Sequence, residues 1–379
     1  MHTPIYLDYN ATTPIDPEVV TEMLPYFQTH FGNPSSSYGL GRHNKQVIEK
    51  ARLQVAGIIG ALPEEIVFTS CGTESNNLAI RGIAFANQEK GKHIITSSIE
   101  HPAVTEVCHY LASLGWEITW LPVDKYGTVN PEDVKRAIRP NTVLVSIMHA
   151  NNEVGTIQPI AEIGVIAKEN NIIFHTDAAQ SVGKIETNVN VFGVDLLRIA
   201  GHKLYAPKGI GALYIRKGVN IGKLMFGAGH EMGRRPGTEN MPYIVGLGKA
   251  CELARKNDII VHEHTFRMRQ RLLDGLKQKS ISSITVNANL ENCLPNTLSI
   301  SFANIEAHTL TSVIGEQVCI STGSACHSGS VEISQVLKAM NVEHKQAAGT
   351  VRISTGKFTT EEEVDHAVEV ISNAINKLL

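Results

Sequence analysis

Asp177 and Lys203 are the two residues whose types and spacing most directly suggest chemistry. Asp177 follows a short apolar run, Ile172 to Phe174, through His175 and Thr176. Lys203 follows a second run, Val194 to Ile199, through Ala200, Gly201 and His202. Short apolar runs of this kind read as buried strands. In a parallel sheet the carboxyl ends of neighbouring strands open on one crevice, so the two side chains can face one ligand. A primary amine beside a carboxylate suits pyridoxal phosphate. The amine forms a Schiff base, and the carboxylate keeps the pyridine nitrogen protonated so that the ring can accept electrons. A structural aspartate and a solvated lysine would also fit these two positions, so the case rests on their surroundings.

Polar clusters recur just after other apolar runs. Ile66 to Ser70 leads through Cys71, Gly72 and Thr73 into a helix expected over Glu74 to Ala86. A strand passing through Gly and Thr into a helix N-terminus can cradle a phosphate on free N–H groups and the positive end of the helix dipole. A plain turn capped by Thr reads the same way. His93 to Ser97 leads to Glu100, His101 and a helix from Pro102. Glu117 to Leu121 precedes Asn130 and Pro131, an N-cap and first helical residue. Thr142 to Met148 ends in His149, Ala150, Asn151, Asn152 and Glu153. Alternating short strands and helices mean a mainly parallel sheet covered on both faces, which binds ligands where these clusters fall.

The remaining elements must position those clusters. The 379 residues suffice for two domains, and 42% hydrophobic against 19% charged residues is ordinary globular usage. A net charge of −3 leaves no basic footprint for nucleic acid. No apolar run approaches a membrane span, and MHTPIYLDYNATTP lacks the regions of a signal peptide, so the expected setting is cytoplasmic. Six scattered cysteines without a CxxC pair argue against a disulfide framework and a zinc site; no metal is expected. Tyr6 to Pro14 is expected to cross between lobes, Phe31 to Tyr38 to be a loop, and a helix to run from about Lys45 to Ile59. Gly211 to Ile215 is expected to close the sheet. Phe226 to Asn240, Gly-rich with paired arginines, suits a loop meeting phosphate or another subunit. A helix from Met241 to Leu276 would link to a second lobe with strands at Thr297 to Phe302, at Thr309 to Ile314 and around Arg352. Within that lobe, Cys319 to Ser330 is expected to be a mobile loop of small residues around Cys326.

The segments SSIEHPAV, HANNEVGT, HTDAAQS, AGHKLYAPKG, RRPGTEN and GSACHS, in this order, resemble the cysteine desulfurases of the class V aminotransferase group over nearly the whole chain. DYNATTP, GNPSSSY, RPGTEN and GSACHS are similar also to selenocysteine lyase. The resemblance implies an α/β protein of the type I fold of pyridoxal-phosphate enzymes: a large domain with a mainly parallel seven-stranded sheet over residues 17–257, and a smaller α/β domain from residues 1–16 and 258–379.

It also implies roles. Lys203 matches the Schiff-base lysine, Asp177 the partner of the pyridine nitrogen, Gln180 a donor to the cofactor's phenolic oxygen, and His101 the imidazole on the ring face that handles protons. Gly72, Thr73 and His202 match phosphate contacts, as does Thr238, which reaches across from the second subunit of a homodimer. Asn152, Arg352 and Asn10 match the group holding the substrate, Asn152 also lying at the cofactor. Cys326 matches the nucleophile that takes sulfur from L-cysteine as a persulfide, leaving alanine, for an acceptor such as an iron–sulfur scaffold. Ala200 stands where desulfurases usually carry a phosphate-bonding serine, and His230 where glutamine is more usual. A plain transaminase has no need of the Cys326 loop. An inactive sulfur carrier or scaffold would be free to lose Lys203, Asp177 or Gln180, and all three are present.

Overall fold

The computed structural model describes residues 3–279, 283–327 and 330–379, without the side chains of residues 258 and 324–332. Seven five-residue or shorter apolar segments pair into one sheet: β1 Ile66–Thr69, β2 His93–Ser97, β3 Glu117–Leu121, β4 Thr142–Ser146, β5 Ile173–Asp177, β6 Leu196–Ala200 and β7 Gly211–Ile215. Their order is β1-β7-β6-β5-β4-β2-β3. Only β7 runs antiparallel, to both β1 and β6; the other pairs are parallel. β7 therefore does not close the sheet, as the linear reading expected, but lies second from one edge. The ten-residue connection 201–210 returns the chain from β6 so that β7 pairs antiparallel, whereas a parallel neighbour needs a crossover.

Side chains alternate across the sheet with the strand period of two. Val67, Leu144, Leu196 and Leu213 face a core with Leu78, Ile80 and Ile83 of helix Gly72–Asn87. Phe68, Val145, Phe174, Leu197 and Tyr214 face a second core with Val55 and Ile59 of helix Gly39–Ile59. That helix starts six residues before the expected Lys45. Its first turns carry Gly41 and Asn44 in place of apolar residues. A Cβ on Gly41 would meet the Ser36 carbonyl oxygen at 2.4 Å, and Asn44 donates to the His30 and Gly32 carbonyls at 2.9 and 2.5 Å. Apolar periodicity cannot register such a close-packed polar start.

Helix Met241–Gln278 spans 38 residues, about 57 Å at helical rise. Ile244, Leu247 and Leu253 pack beneath the sheet, while Met268, Leu272 and Leu276 join another core. That second core covers a four-stranded antiparallel sheet ordered Ser321–Thr322, Thr350–Ser354, Thr297–Phe302 and Ile284–Val286. Residues 307–314 form a helix, Ala307–Ile314, correcting the strand expected at Thr309 to Ile314. Its β-branched composition favours a strand, but Ala307, Leu310 and Ile314 are the buried positions, a helical spacing that packs against the sheet. In and just beyond Cys319 to Ser330, expected to be a mobile loop, Ser324–His327 and Ser330–Ile333 form a two-stranded antiparallel ribbon that pairs Cys326 with Val331. Among the described residues no helix is long and apolar enough to cross a membrane.

Candidate active site

The N-terminal segment straps the two sheets together. Ile5 pairs with Val318 and Asp8 bridges to Ser354 in the smaller sheet. Five residues on, the Thr13 amide donates to the His202 carbonyl at 2.9 Å. Between these anchors Asn10 is buried at the carboxyl ends of β5 and β6. Gln180, Lys203, Asp177, Arg198, His101, Asn152 and Arg352 gather with it around a cavity of about 190 Å³.

Lys203 leaves the turn after β6 and donates to the Asn10 and Ala11 carbonyls at 2.6 and 2.7 Å. Burial and the nearby guanidinium groups of Arg352 and Arg198 depress its pKa to about 8, against the opposing pull of Asp8 and Asp177. The unprotonated, nucleophilic amine is thereby more abundant near neutral pH than for an ordinary lysine. Asp177 is the last residue of β5. Burial pushes its pKa up, but Arg198, the Asn76 amide (2.9 Å) and the Ala179 N–H (3.0 Å) outweigh that and hold it low. Asp177 therefore stays ionised. Sequence reasoning did not single out Arg198 or Asn76. An arginine inside the apolar run LLRIA was an available signal, because a buried charge requires a partner.

His101 caps helix Pro102–Ser113, its Nδ1 accepting from the Ala103 N–H at 3.0 Å. Nε2 is then the protonated nitrogen of the neutral ring. Burial, with Arg198 and Lys203, outweighs Asp177 and lowers its pKa, so the imidazole is uncharged. Gln180 sits in the turn after β5 and donates to the Asn10 carbonyl at 2.9 Å. Arg352 projects from strand Thr350–Ser354, donating to the Asn152 carbonyl at 3.0 Å, to Asp8 at 2.6 Å and to the Ser321 hydroxyl at 2.8 Å.

Of the expected phosphate contacts, Gly72 and Thr73 open helix Gly72–Asn87. Gly72 is buried against Arg198, whose guanidinium nitrogens would lie about 2 Å from any added Cβ, so only glycine fits. Thr73 is exposed on the next residue, and His202 contacts Thr12 at 3.2 Å with its pKa lowered to about 4, chiefly by burial and then by Lys203. Ala200 shares its sheet face with Arg198, two residues earlier on β6. Thr238 is exposed on the Gly-rich loop and does not line the Lys203 cavity. That loop is anchored internally: Glu231 accepts both terminal nitrogens of Arg52 at 2.7 and 2.9 Å, and Arg235 pairs with Glu74 at 2.8 Å. His230 accepts from the Gly237 N–H at 3.2 Å. The backbone of Cys326 lies in the Ser324–His327 strand, and its side chain lies outside the described residues.

Not every polar residue after a strand belongs to the cavity. His149 packs edge-on against Phe192 with ring centroids 4.6 Å apart, and burial lowers its pKa to about 4. Asn151 caps its own loop, accepting from the Glu153 and Val154 N–H groups at 2.8 and 3.0 Å.

The donor set fits pyridoxal phosphate. A depressed amine and an ionised carboxylate face one cavity from adjacent strand ends, a neutral imidazole lines it, and Ala150 and Ala179 leave room. The buried Nε atoms of Arg198 and Arg352 have no hydrogen-bond partner among the described residues, leaving donor capacity for anionic groups.

Residues 5–367 match the family described as Aminotransferase class-V. The chain is 50% identical to the cysteine desulfurase IscS of Dictyoglomus turgidum over 379 residues, covering 100% of this chain and 96% of that protein. It is 50% identical to the cysteine desulfurase IscS of Methanosarcina thermophila over 375 residues, covering 99% and 92%. Among solved structures, a NifS-like protein superposes with a TM-score of 0.93 at 40% identity, covering 99% of this chain and 100% of that one. SspA in complex with cysteine superposes with a TM-score of 0.83 at 39% identity, covering 94% and 99%. A match running through both sheets, with half of all positions identical to full-length relatives, establishes that this chain belongs to the class-V aminotransferase family.

Proposed function

We propose that this chain is a pyridoxal-phosphate-dependent cysteine desulfurase, converting L-cysteine to L-alanine and taking the sulfur onto Cys326 as a persulfide. The observation that carries the reading is the depressed Lys203 amine beside the ionised Asp177, in a chain half identical to cysteine desulfurases. Bound there, the cofactor would act as the electron sink for bond breaking at the substrate.

The chain's own groups supply the rest. Lys203 would hold the cofactor covalently and, once displaced by substrate, would be free to move a proton. Asp177, kept ionised by Arg198, meets the pyridine nitrogen, and Gln180 donates to the phenolic oxygen. Neutral His101, protonated on Nε2, can donate and retrieve a proton at the ring face. Gly72, Thr73 and His202 hold the phosphate with Thr238 of a second copy of this chain, which makes a homodimer the working form. Arg352, with Asn152 and Asn10, orients the substrate carboxylate by a planar guanidinium contact. The Cys326 thiolate attacks the substrate sulfur, so the carbon–sulfur bond breaks, a sulfur–sulfur bond forms, and the substrate carbon is protonated to alanine. The persulfide then passes to an acceptor protein, such as an iron–sulfur scaffold, in the cytoplasm. The match of GNPSSSY and GSACHS to selenocysteine lyase makes selenocysteine the rival substrate.

Turnover of cysteine and selenocysteine should be measured side by side with a reductant, for the wild type, Cys326→Ser and Lys203→Ala. Alanine and sulfide from cysteine in the wild type only is the expected result. Near wild-type alanine formation by Cys326→Ser would remove the nucleophile assignment. Turnover confined to selenocysteine would establish the rival reading, and a protein that never takes up cofactor would point to a scaffold.

A further inference from the structure

Gln180 and Asn10 reach the cavity from a hub that includes a third side chain, Lys184, four residues past Gln180. Lys184 Nζ donates to Gln180 Oε1 at 2.9 Å and to Asn10 Oδ1 at 3.1 Å. The Asn10 carbonyl accepts from Gln180 Nε2 at 2.9 Å and from Lys203 Nζ at 2.6 Å. Lys184 and Lys203 also share the wall of a second, smaller cavity of about 40 Å³. We propose that Lys184 is a positioning residue: it locks the side-chain amides of Gln180 and Asn10 in one orientation and so decides that Gln180 presents a donor to the cofactor. The proposal rests on the role given to Gln180 above.

Donors and acceptors at this hub match in one orientation only. An ammonium has three donors and no acceptor, whereas a glutamine amide has one of each kind of end. With Oε1 toward Lys184, one Nε2 hydrogen goes to the Asn10 carbonyl and the other is left for the cavity that Gln180 lines. Rotating the amide by half a turn would set its NH₂ against Lys184 and its oxygen against the Asn10 carbonyl, donor on donor and acceptor on acceptor. Each such mismatch strands a buried polar group. The same logic fixes Asn10. Its Oδ1 also accepts from Asn296 at 3.0 Å, while its Nδ2 donates to Thr297 at 2.8 Å and to the Asn152 carbonyl at 3.3 Å. Burial, with the charges of Lys203 and Arg352, pushes the Lys184 pKa well below the usual lysine range. The unprotonated amine still has two N–H donors for its two oxygen partners; its lone pair can accept from a rotated Gln180 NH₂, but the rotated Oε1 would still oppose the Asn10 carbonyl, so the orientation does not require the charge.

Lys184→Met keeps the length and bulk of the chain and removes the donor. The readout is the pH at which the visible absorption of the bound cofactor changes. A donor to the phenolic oxygen favours its ionised form and holds that pH down. Losing one hydrogen bond is expected to raise it by about one unit in Lys184→Met. Gln180→Leu should do at least as much, and adding Lys184→Met to it should do nothing further. An unmoved pH in Lys184→Met overturns the proposal. So does a Lys184→Met shift that persists in the Gln180→Leu background, since Lys184 would then act through its charge. High-resolution diffraction from the unaltered holoenzyme needs no variant: Gln180 C–O and C–N bond lengths should place Oε1 toward Lys184, and Nε2 there overturns the proposal even if the methionine variant fails to fold. If Gln180→Leu alone moves nothing, the role of Gln180 is what fails, and the diffraction result still decides the orientation.

Discussion

Arg352 and Asp8, 344 positions apart in the chain, form a 2.6 Å ion pair beside the Lys203 cavity, with both side chains largely buried. The guanidinium expected to receive the substrate carboxylate is therefore already held by a carboxylate of its own chain. Its orientation is set before substrate arrives, by Asp8 and Ser321 on one side and the Asn152 carbonyl on the other, while Nε has no partner among the described residues. Pre-ordering of this kind lowers the entropic cost of binding.

Arg352→Ala is expected to weaken cysteine binding by about 2–5 kcal/mol, the range for truncating one partner of a buried, hydrogen-bonded charge pair. Cofactor content should barely change, because Arg352 belongs to the smaller sheet and bonds to Asn152, Asp8 and Ser321 rather than to the residues proposed to hold the phosphate. Titration of the cofactor-loaded variant with cysteine, followed by absorbance, checks both. Loss of cofactor together with cysteine affinity would make Arg352 a cofactor residue.

Glu100 is buried beside His101, and burial raises its pKa to about 8 despite bonds from the Ser97 hydroxyl (2.6 Å) and the Met148 N–H (2.9 Å). Its other carboxyl oxygen has no partner among the described residues. A folded-state pKa raised above the unfolded value means that the native state binds the extra proton. Its stabilising contribution is thus full below the unfolded pKa near 4.5 and is lost as pH rises toward 8. Glu100→Gln mimics the protonated acid and should flatten the fall in stability between pH 5 and 8, gaining on the order of 1–3 kcal/mol at the upper end after allowance for relaxation. Urea midpoints of both forms at pH 5, 6.5 and 8 measure this. Parallel curves for the two would show that Glu100 is ionised in the native protein throughout.

Ala200, the last residue of β6, is buried and shares a sheet face with Arg198. The family resemblance puts residue 200 at the cofactor phosphate, where a serine would donate one more charge-assisted bond, worth roughly 1.5–3 kcal/mol. Ala200→Ser should therefore tighten cofactor affinity by about ten- to a hundredfold. Turnover should move little, because the phosphate is held equally in ground and transition states. Dissociation constants for the two forms in phosphate-free buffer test this, and equal values would mean that residue 200 does not reach the phosphate.

The large sheet was legible because its strands are apolar on both faces and end in polar clusters. His93 to Ser97, Glu117 to Leu121 and Gly211 to Ile215 coincide with strands of that sheet, Thr297 to Phe302 with a strand of the smaller one, and Asn130 with Pro131 caps its helix as expected. Local composition carries that information without reference to the rest of the chain. Where local and tertiary preferences conflict, packing prevailed. Thr309 to Ile314 is strand-like in composition, yet its helix buries one face against the smaller sheet, and the Gly41 and Asn44 turns are helical because of contacts with residues 30–36.

The pairing of Lys203 with Asp177 likewise followed from sequence, since both stand at the ends of recognisable strands. Arg198 on Asp177, Asp8 on Arg352 and Lys184 on Gln180 and Asn10 did not. Asp8 and Arg352 meet only because the N-terminal strap crosses between the two sheets, bringing opposite ends of the chain to one cavity. Sequence alone thus determined which chemical groups this protein has and which strand ends carry them. Tertiary structure decided which of those groups are ionised and which way their donors point, because both depend on burial and on partners distant in the chain.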